Sequence, residues 1–122
     1  MITIERAHEM LEQIAAEFPE AFFEDLNGGI SLLPEVKYSP YAQRDDLYIL
    51  GEYHRNAMGR YITIYFASFQ RVHGHLRDAD FYEELRSTVR HEFTHHLENL
   101  AGERGLEVQD EDDLWEYLRR RG

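Results

Sequence analysis

The chain has 122 residues, a formal net charge of −11 and no cysteine. Its length suits one domain, which we expect to span residues 1–122. The hydrophobic share of 43% suffices for a core and argues against a disordered chain. Clustered lysines and arginines drive nucleic-acid binding, so the acidic charge argues against a nucleic-acid partner. Without thiols there is no disulfide and no thiolate site, and any metal must be held by imidazoles and carboxylates.

The sequence shows no targeting or membrane segment. Glu5 and Arg6 stand where a secretory signal needs an apolar run. No stretch approaches the ~20 apolar residues of a membrane helix. We therefore expect a cytoplasmic protein with no membrane partner, and the sequence indicates no oligomeric state.

The first part of the chain has helical periodicity. Apolar residues recur at helical spacing from Thr3 to Phe18 and predict a helix. Pro19 interrupts the pattern, and a short helical turn through Leu26 is expected after it. The run Asn27-Gly28-Gly29 then predicts a stop, because glycine tolerates the left-handed conformation that ends helices.

The middle of the chain predicts strands. Ile30–Val36 is β-compatible, with Pro34 indicating an edge or a bend. Leu47–His54 and Tyr61–Phe69 are the clearest strands, and Arg55–Arg60 between them predicts a hairpin turn. Both faces of Tyr61–Phe69 are apolar, so this strand is expected inside a sheet or along a cleft.

The last part predicts a long helix from about Asp80 to Ala101. Asp80 with Glu83 has the spacing of a capping box, and Gly102 predicts the C-terminal stop. A final short helix is expected over roughly Glu111–Arg120, with an acidic start and a basic end that suit the helix dipole.

Within the long helix lies His91-Glu92-Phe93-Thr94-His95, an HExxH motif. Two histidines four residues apart project from one helix face and can hold a single Zn²⁺ through their imidazoles. Glu92, beside them, can take a proton from a metal-activated water and deliver it to a leaving amine. The motif therefore predicts His91 and His95 as metal ligands and Glu92 as the catalytic residue.

The helical wheel supports this prediction. At about 100° per residue the two histidines share a polar stripe, and apolar residues fill the opposite arc. The stripe comprises Glu84, Thr88, His91, His95 and Glu98. His96 points toward the apolar arc, so we expect it to be packed or to support a ligand.

The third metal ligand is open. Glu98 lies on the correct face and ranks first, although it sits ~10 Å along the helix axis from His91 and can instead orient His95. Asp110 and Glu103 rank next, and Glu107 is a further carboxylate that can fold back over the site.

Three other features are weaker. His73 and His75 can form a second metal pair, but this loop spacing more often has a structural explanation. Strand Tyr61–Phe69 can offer an edge to an extended peptide. Either Tyr61 or Tyr65 can stabilise an oxyanion, and nothing in the sequence selects between them.

Taken together, these residues resemble a known family. The run His91–Arg104 is similar to the active-site segment of the small bacterial zincin-like metallopeptidases, and other matching segments extend the resemblance over nearly the whole chain. Those segments are Leu26–Gly29, Leu33–Val36, Leu50–Tyr53 and Gly59–Tyr65.

The resemblance implies an α+β fold, a minimal zincin-like domain with a small mixed sheet packed against a backing helix and a long HExxH helix. It also implies one Zn²⁺ ion and hydrolysis of a peptide or protein substrate. Many relatives carry HExxHxxGxxD, with the aspartate as third ligand. This chain has Glu98 in place of the glycine and Ala101 in place of the aspartate, and Val108-Gln109-Asp110 looks like the displaced equivalent.

Two alternatives to a peptidase remain. One is a zinc-bound peptide- or protein-binding module on a zincin scaffold that performs no turnover. The other is a carboxylate-bridged iron site, because Glu92 and His95 have the Glu-x-x-His spacing of di-iron bundles, but only one such pair is present and the chain is not all helical. The acidic net charge also predicts that strongly acidic peptides are poor substrates.

Overall fold

The structure is a computed structural model that describes residues 1–41 and 47–103. It confirms the α+β class, with a three-stranded mixed sheet, a backing helix and a long helix that carries the HExxH motif. The elements are α1 (Ile4–Glu17), a 3₁₀ turn (Glu20–Phe23), β1 (Ile30–Leu33), β2 (Gly51–Asn56), β3 (Gly59–Tyr65), α2 (Phe66–His73) and α3 (Asp78–Glu103). The helix predicted over Glu111–Arg120 lies outside the described residues.

Strand β3 is the middle strand of the described sheet. It pairs in parallel with β1 and antiparallel with β2, so that Ile62 lies between Ile30 and Tyr53. Ile62 and Ile64 are fully buried beneath the helices. The central position predicted for this strand is confirmed, and so is the edge position that Pro34 predicts for the first strand, which ends just before it.

The prediction of one strand over Tyr61–Phe69 is wrong in its second half. The strand ends at Tyr65, and Phe66 begins α2. Phe66 and Phe69, three residues apart, turn into the core together, and Phe69 meets Phe81 edge to face at 5.1 Å. A run with large apolar side chains on both faces fits the repeat of a strand and that of a helix equally well, so the sequence does not distinguish strand from helix here.

The predicted hairpin is confirmed and is tight. The Asn56 side chain accepts a hydrogen bond from the Met58 amide at 2.8 Å, and Gly59 has a φ of +111°. The Asn27 carboxamide oxygen accepts a hydrogen bond from the Arg60 amide at 2.9 Å. A Cβ at Gly59 would lie 2.2 Å from the Asn27 side chain, so this contact needs glycine. The segment after the 3₁₀ turn is thereby fixed against the hairpin.

The long helix is confirmed, but the two end signals predicted for it, the Asp80 cap and the Gly102 stop, are wrong. The helix begins at Asp78, because the Phe81 amide bonds to the Arg77 carbonyl, and this places Asp80 inside the first turn instead of at the cap. At the other end the helix continues through Gly102. A glycine in an exposed helical position costs only about 1 kcal/mol relative to alanine, which the packing of the preceding turn offsets.

The first helix is confirmed as α1, and the aromatic residues that follow it fix the rotation of α3. Phe93, inside the HExxH motif, is fully buried. Its ring centroid lies 4.9 Å from that of Phe18, 6.2 Å from Phe22 and 5.1 Å from Phe23. With Phe93 held in the core, the two motif histidines must point to the other side of the helix.

His96 ties the sheet to α3. Its side chain has 0% exposure, as the packed position expected from the sequence requires. Nε2 lies 2.8 Å from the Glu24 carbonyl oxygen, which can only accept, so Nε2 carries the proton. Nδ1 accepts a hydrogen bond of 2.8 Å from the Tyr53 hydroxyl on β2. Burial lowers the pKa of His96 and keeps this ring neutral.

A shared hydrophobic core contains residues of α1, β3, α2 and α3. The expected single domain over residues 1–122 includes ranges outside the described residues and stays a prediction. Among the helices of residues 1–41 and 47–103, none is long and apolar enough to cross a membrane.

Replacing Tyr53 by phenylalanine tests the tie between β2 and α3. Tyr53→Phe leaves the buried Nδ1 of His96 without its donor, so we expect the free energy of unfolding to fall by about 1–3 kcal/mol in urea denaturation. Tyr82→Phe is the matched control, because the Tyr82 hydroxyl bonds to the half-exposed Glu17 carboxylate. Equal losses in the two variants would contradict a special role for the Tyr53 contact.

Candidate metal centre

Helix α3 brings the imidazoles of His91 and His95 together. Their Nε2 atoms are 3.2 Å apart, and the rings cross at 87°. Two imidazoles that share a tetrahedral Zn²⁺ at about 2.0–2.1 Å have nitrogens roughly 3.3 Å apart. Both side chains are exposed, so their nitrogens are accessible to an ion. The pair therefore fits one zinc ion.

Glu92 lies beside this pair but is buried in the wall of the site. Its side chain is 6% exposed, and its carboxylate lies within 4.8 Å of the ligand nitrogens of His91 and His95. The backbone amide of Tyr53, on β2, acts on that carboxylate and lowers its pKa. The three groups that the motif predicted are thus brought together by one helix and one strand.

The electrostatics of Glu92 favour proton uptake. Burial raises the pKa of Glu92, and the nearby carboxylate of Glu52 adds to this effect. The two imidazoles and the Tyr53 amide act in the opposite direction without cancelling it. A carboxylate with a raised pKa is a stronger base near neutral pH.

Glu52 itself is held ionised by partners that the sequence did not reveal. Its carboxylate contacts the Lys37 ammonium and accepts a hydrogen bond of 2.7 Å from the Tyr65 hydroxyl. Burial pushes the pKa of Glu52 upward, but the hydrogen bonds from Lys37 and Tyr65 outweigh it and hold the pKa below its usual value. Glu52 therefore brings a lasting negative charge to the wall of the site.

The three motif residues open onto a cleft of about 760 Å³ between α3 and β2. One wall is α3, from the motif to Glu98 and Asn99. The other wall is the edge of β2, from Gly51 to Arg55.

The register of the sheet shows how β2 faces this cleft. The Tyr65 amide bonds to the Leu50 carbonyl at 2.9 Å, so even-numbered residues of β2 direct their backbone groups to β3. In an antiparallel pair these directions alternate. The backbone groups of Gly51, Tyr53 and Arg55 therefore point outward, to the cleft, and in the described part of the chain no strand pairs with this edge.

This arrangement corrects two predictions. The segment Tyr61–Phe69 offers no edge to a peptide, because β3 is bonded on both sides; the edge belongs to β2. Neither Tyr61 nor Tyr65 lines the cleft. The Tyr61 hydroxyl accepts a hydrogen bond from the Asn56 side chain, and the Tyr65 hydroxyl is bonded to Glu52, so neither is placed to stabilise an oxyanion beside the histidines.

The carboxylates considered as third ligand lie in different places. Glu98 is exposed and lines the cleft, but it is not part of the close group formed by the motif residues. The Glu103 carboxylate is bound by the Arg60 guanidinium and lies 3.7 Å from that of Arg55. Glu107 and Asp110 lie outside the described residues. The third ligand therefore stays a prediction, with Glu98 in reach of the cleft.

The other histidine pair has contacts of its own. His73 and His75 join no metal-binding group among the described residues. His73 packs against the Phe69 ring at 4.9 Å, and its Nε2 lies 3.7 Å from the Glu84 carboxylate. The structural explanation favoured by the sequence suffices for this residue.

Comparison with known proteins gives a relative. No family model matches the chain, and no curated protein matches it. Among solved structures, it is similar to a conserved hypothetical protein from T. thermophilus, with 35% sequence identity and a TM-score of 0.72. The match covers 83% of this chain and 99% of that one. The chain therefore belongs to the same family as this T. thermophilus protein.

Proposed function

We propose that this protein is a zinc-dependent metallopeptidase of the zincin-like type. The observation that supports the proposal most is the pair of Nε2 atoms of His91 and His95, 3.2 Å apart, with the Glu92 carboxylate within 4.8 Å of them. His91 and His95 hold the ion, and Glu98 is the expected third ligand. Zn²⁺, when bound there, supplies a Lewis acid that lowers the pKa of a water and polarises a carbonyl.

Glu92 moves the proton in the proposed reaction. Its carboxylate takes a proton from the attacking water, whose oxygen forms the new bond to the peptide carbonyl carbon. As the C–N bond breaks, Glu92 gives that proton to the leaving amine nitrogen. The Tyr53 amide supports this role, because it acts to lower the pKa of Glu92 and so stabilises the ionised form that takes the proton.

The edge of β2 is the proposed binding place for the substrate main chain. The outward backbone groups of Gly51 and Arg55 and the Tyr53 carbonyl can pair with an extended peptide by strand addition. This edge runs beside the motif, so a peptide bound on it passes the histidines. A cytoplasmic location, as expected from the sequence, is part of the same proposal.

The alternative is a zinc-bound module that binds peptides without cleaving them. The same edge and the same histidines serve this function, and it needs no proton transfer by Glu92. Cleavage of a bound peptide therefore distinguishes the two proposals, because only the peptidase cleaves it.

Metal analysis tests the ion. Protein purified without added zinc is expected to carry close to one equivalent, measured by mass spectrometry of the metal, and His91→Ala and His95→Ala are each expected to lose most of it. His73→Ala is the matched control, because His73 lies outside the group. A zinc content far below one equivalent, unchanged by His91→Ala, would rule out the proposed centre; iron in place of zinc would favour the carboxylate-bridged site.

Glu92→Gln tests the chemistry. The amide keeps the shape of the side chain but cannot take the proton, so cleavage of a broad peptide library is expected to fall by about 10²-fold or more while zinc is retained. Glu84→Gln, on the same helix with its carboxylate half exposed, is the control for loss of one negative charge. Undiminished cleavage by Glu92→Gln contradicts its role. Zinc binding with no cleavage by the unchanged protein selects the binding module.

A further inference from the structure

Arg55 gives the cleft a positive end. Among the described residues that line the cleft it is the one arginine or lysine, and the other ionisable side chains there belong to Glu52, Tyr53, Glu92, Glu98 and the motif histidines. Its side chain is 57% exposed, so the guanidinium is open to a ligand. Within the described chain its ion-pair partner is Glu103, at 3.7 Å, which is longer than a hydrogen bond.

The partner strand places a second arginine directly opposite. Arg55 pairs with Arg60 across β2 and β3, and like charges in this position repel. The Glu103 carboxylate lies against both guanidiniums, mainly that of Arg60, whose side chain is only 19% exposed. Asp25 lines an adjoining depression with the two arginines, but it forms no described ion pair with either of them. Within residues 1–41 and 47–103, two positive charges thus share one carboxylate, and the surplus charge lies on the exposed Arg55.

We propose that Arg55 is a specificity-determining residue that binds a carboxylate of the peptide substrate close to the bond that is cleaved. This inference rests on the proposed function. Tyr53 and Glu92 line the same cleft, which puts the reacting bond beside Tyr53, and Arg55 lies two residues further along the strand, roughly 6.8 Å away. The carboxylate therefore belongs to a residue one or two positions from the cleaved bond.

The chemistry of recognition is that of a guanidinium fork. The planar group donates two parallel N–H···O bonds to a carboxylate, which no lysine can reproduce. An acidic side chain and a free C-terminus offer the same carboxylate. Amidation of the C-terminus distinguishes the two sources, because it removes a C-terminal carboxylate and leaves an acidic side chain unchanged.

The overall charge of −11 does not oppose such binding. At physiological ionic strength the field of a solvent-exposed charge is screened beyond about 8 Å, so the local guanidinium decides the contact. A peptide with several acidic residues still meets Glu52 and Glu98 further along the cleft. We therefore expect one well-placed carboxylate to be preferred and strongly acidic peptides to remain poor ligands.

Binding to a protein that does not turn over is the test. Zinc-loaded Glu92→Gln protein is titrated by fluorescence anisotropy with labelled, C-amidated alanine hexapeptides in which one glutamate is moved through the sequence. Each has a glutamine counterpart, and an alanine hexapeptide with a free C-terminus forms a further arm. We expect the best-placed glutamate, or the free C-terminus, to bind about five- to tenfold more tightly than its neutral counterpart.

The variants assign this preference to Arg55. Arg55→Gln, added to Glu92→Gln, is expected to abolish it, and Arg55→Lys to keep only part of it. Arg77→Gln is the control, because it removes the same charge one residue before α3, ~20 Å along the helix axis from the motif. The inference is overturned if the Glu92→Gln protein binds the carboxylate-bearing peptides no more tightly than their neutral counterparts. It is also overturned if the tighter binding persists after Arg55→Gln is added.

A metal-free arm separates this inference from the proposed function. Arg55 needs no ion to bind a carboxylate, so the same peptides are titrated against protein treated with chelator. A preference that Arg55→Gln removes in this arm supports the carboxylate site even if the zinc test fails. One equivalent of bound zinc together with no carboxylate preference in either arm overturns the role of Arg55 and leaves the metal centre standing.

Discussion

The buried hydrogen bonds of His96 are the contact on which the site depends. They connect three separate parts of the chain: α3, the β2 edge through Tyr53, and the segment after the 3₁₀ turn through Glu24. Because a fully buried imidazole without partners is costly, the ring accepts only an arrangement that supplies one donor and one acceptor. The distance between the edge of the sheet and α3 is thereby set, and that gap is the cleft. Gly51 allows this closeness, since a Cβ there would lie 3.2 Å from the Thr88 side chain.

The same contact determines the geometry of the candidate metal centre. Tyr53 acts in two places. Its hydroxyl bonds to His96, and its backbone amide lowers the pKa of Glu92, because the side chain and the backbone of one strand residue leave it in different directions. His96 and Phe93 are both buried, and at about 100° per residue this rotation leaves His91 and His95 on the exposed side of α3. The packing of the core therefore also determines where the imidazoles of His91 and His95 point.

Local patterns correctly predict α1, the hairpin and the proximity of the His91 and His95 side chains, because helical periodicity, turn chemistry and residue spacing are properties of a few consecutive residues. They fail for the apolar run that ends in α2, since its apolar side chains fit the helical repeat of about 3.6 residues as well as the strand repeat of two. The edge strand, and the contact of Glu52 with Lys37, depend on which segments meet in space. No local pattern carries that information. For the same reason the sequence suggested Glu103 as a metal ligand, whereas in the structure its carboxylate lies against Arg55 and Arg60.

Charge in the cleft follows from these non-local contacts and not from the composition. Glu52 stays ionised beside Lys37, and Glu103 is bound by Arg60, so neither takes up a proton beside the histidines. Glu92 and Glu98 on the helix wall and Arg55 on the strand wall remain. A cation held by the histidines would be stabilised by the Glu92 carboxylate on the helix wall, whereas Arg55 on the strand wall would repel it. An acidic chain thus contains a cleft with one negative and one positive region, and an extended peptide on the β2 edge would pass both.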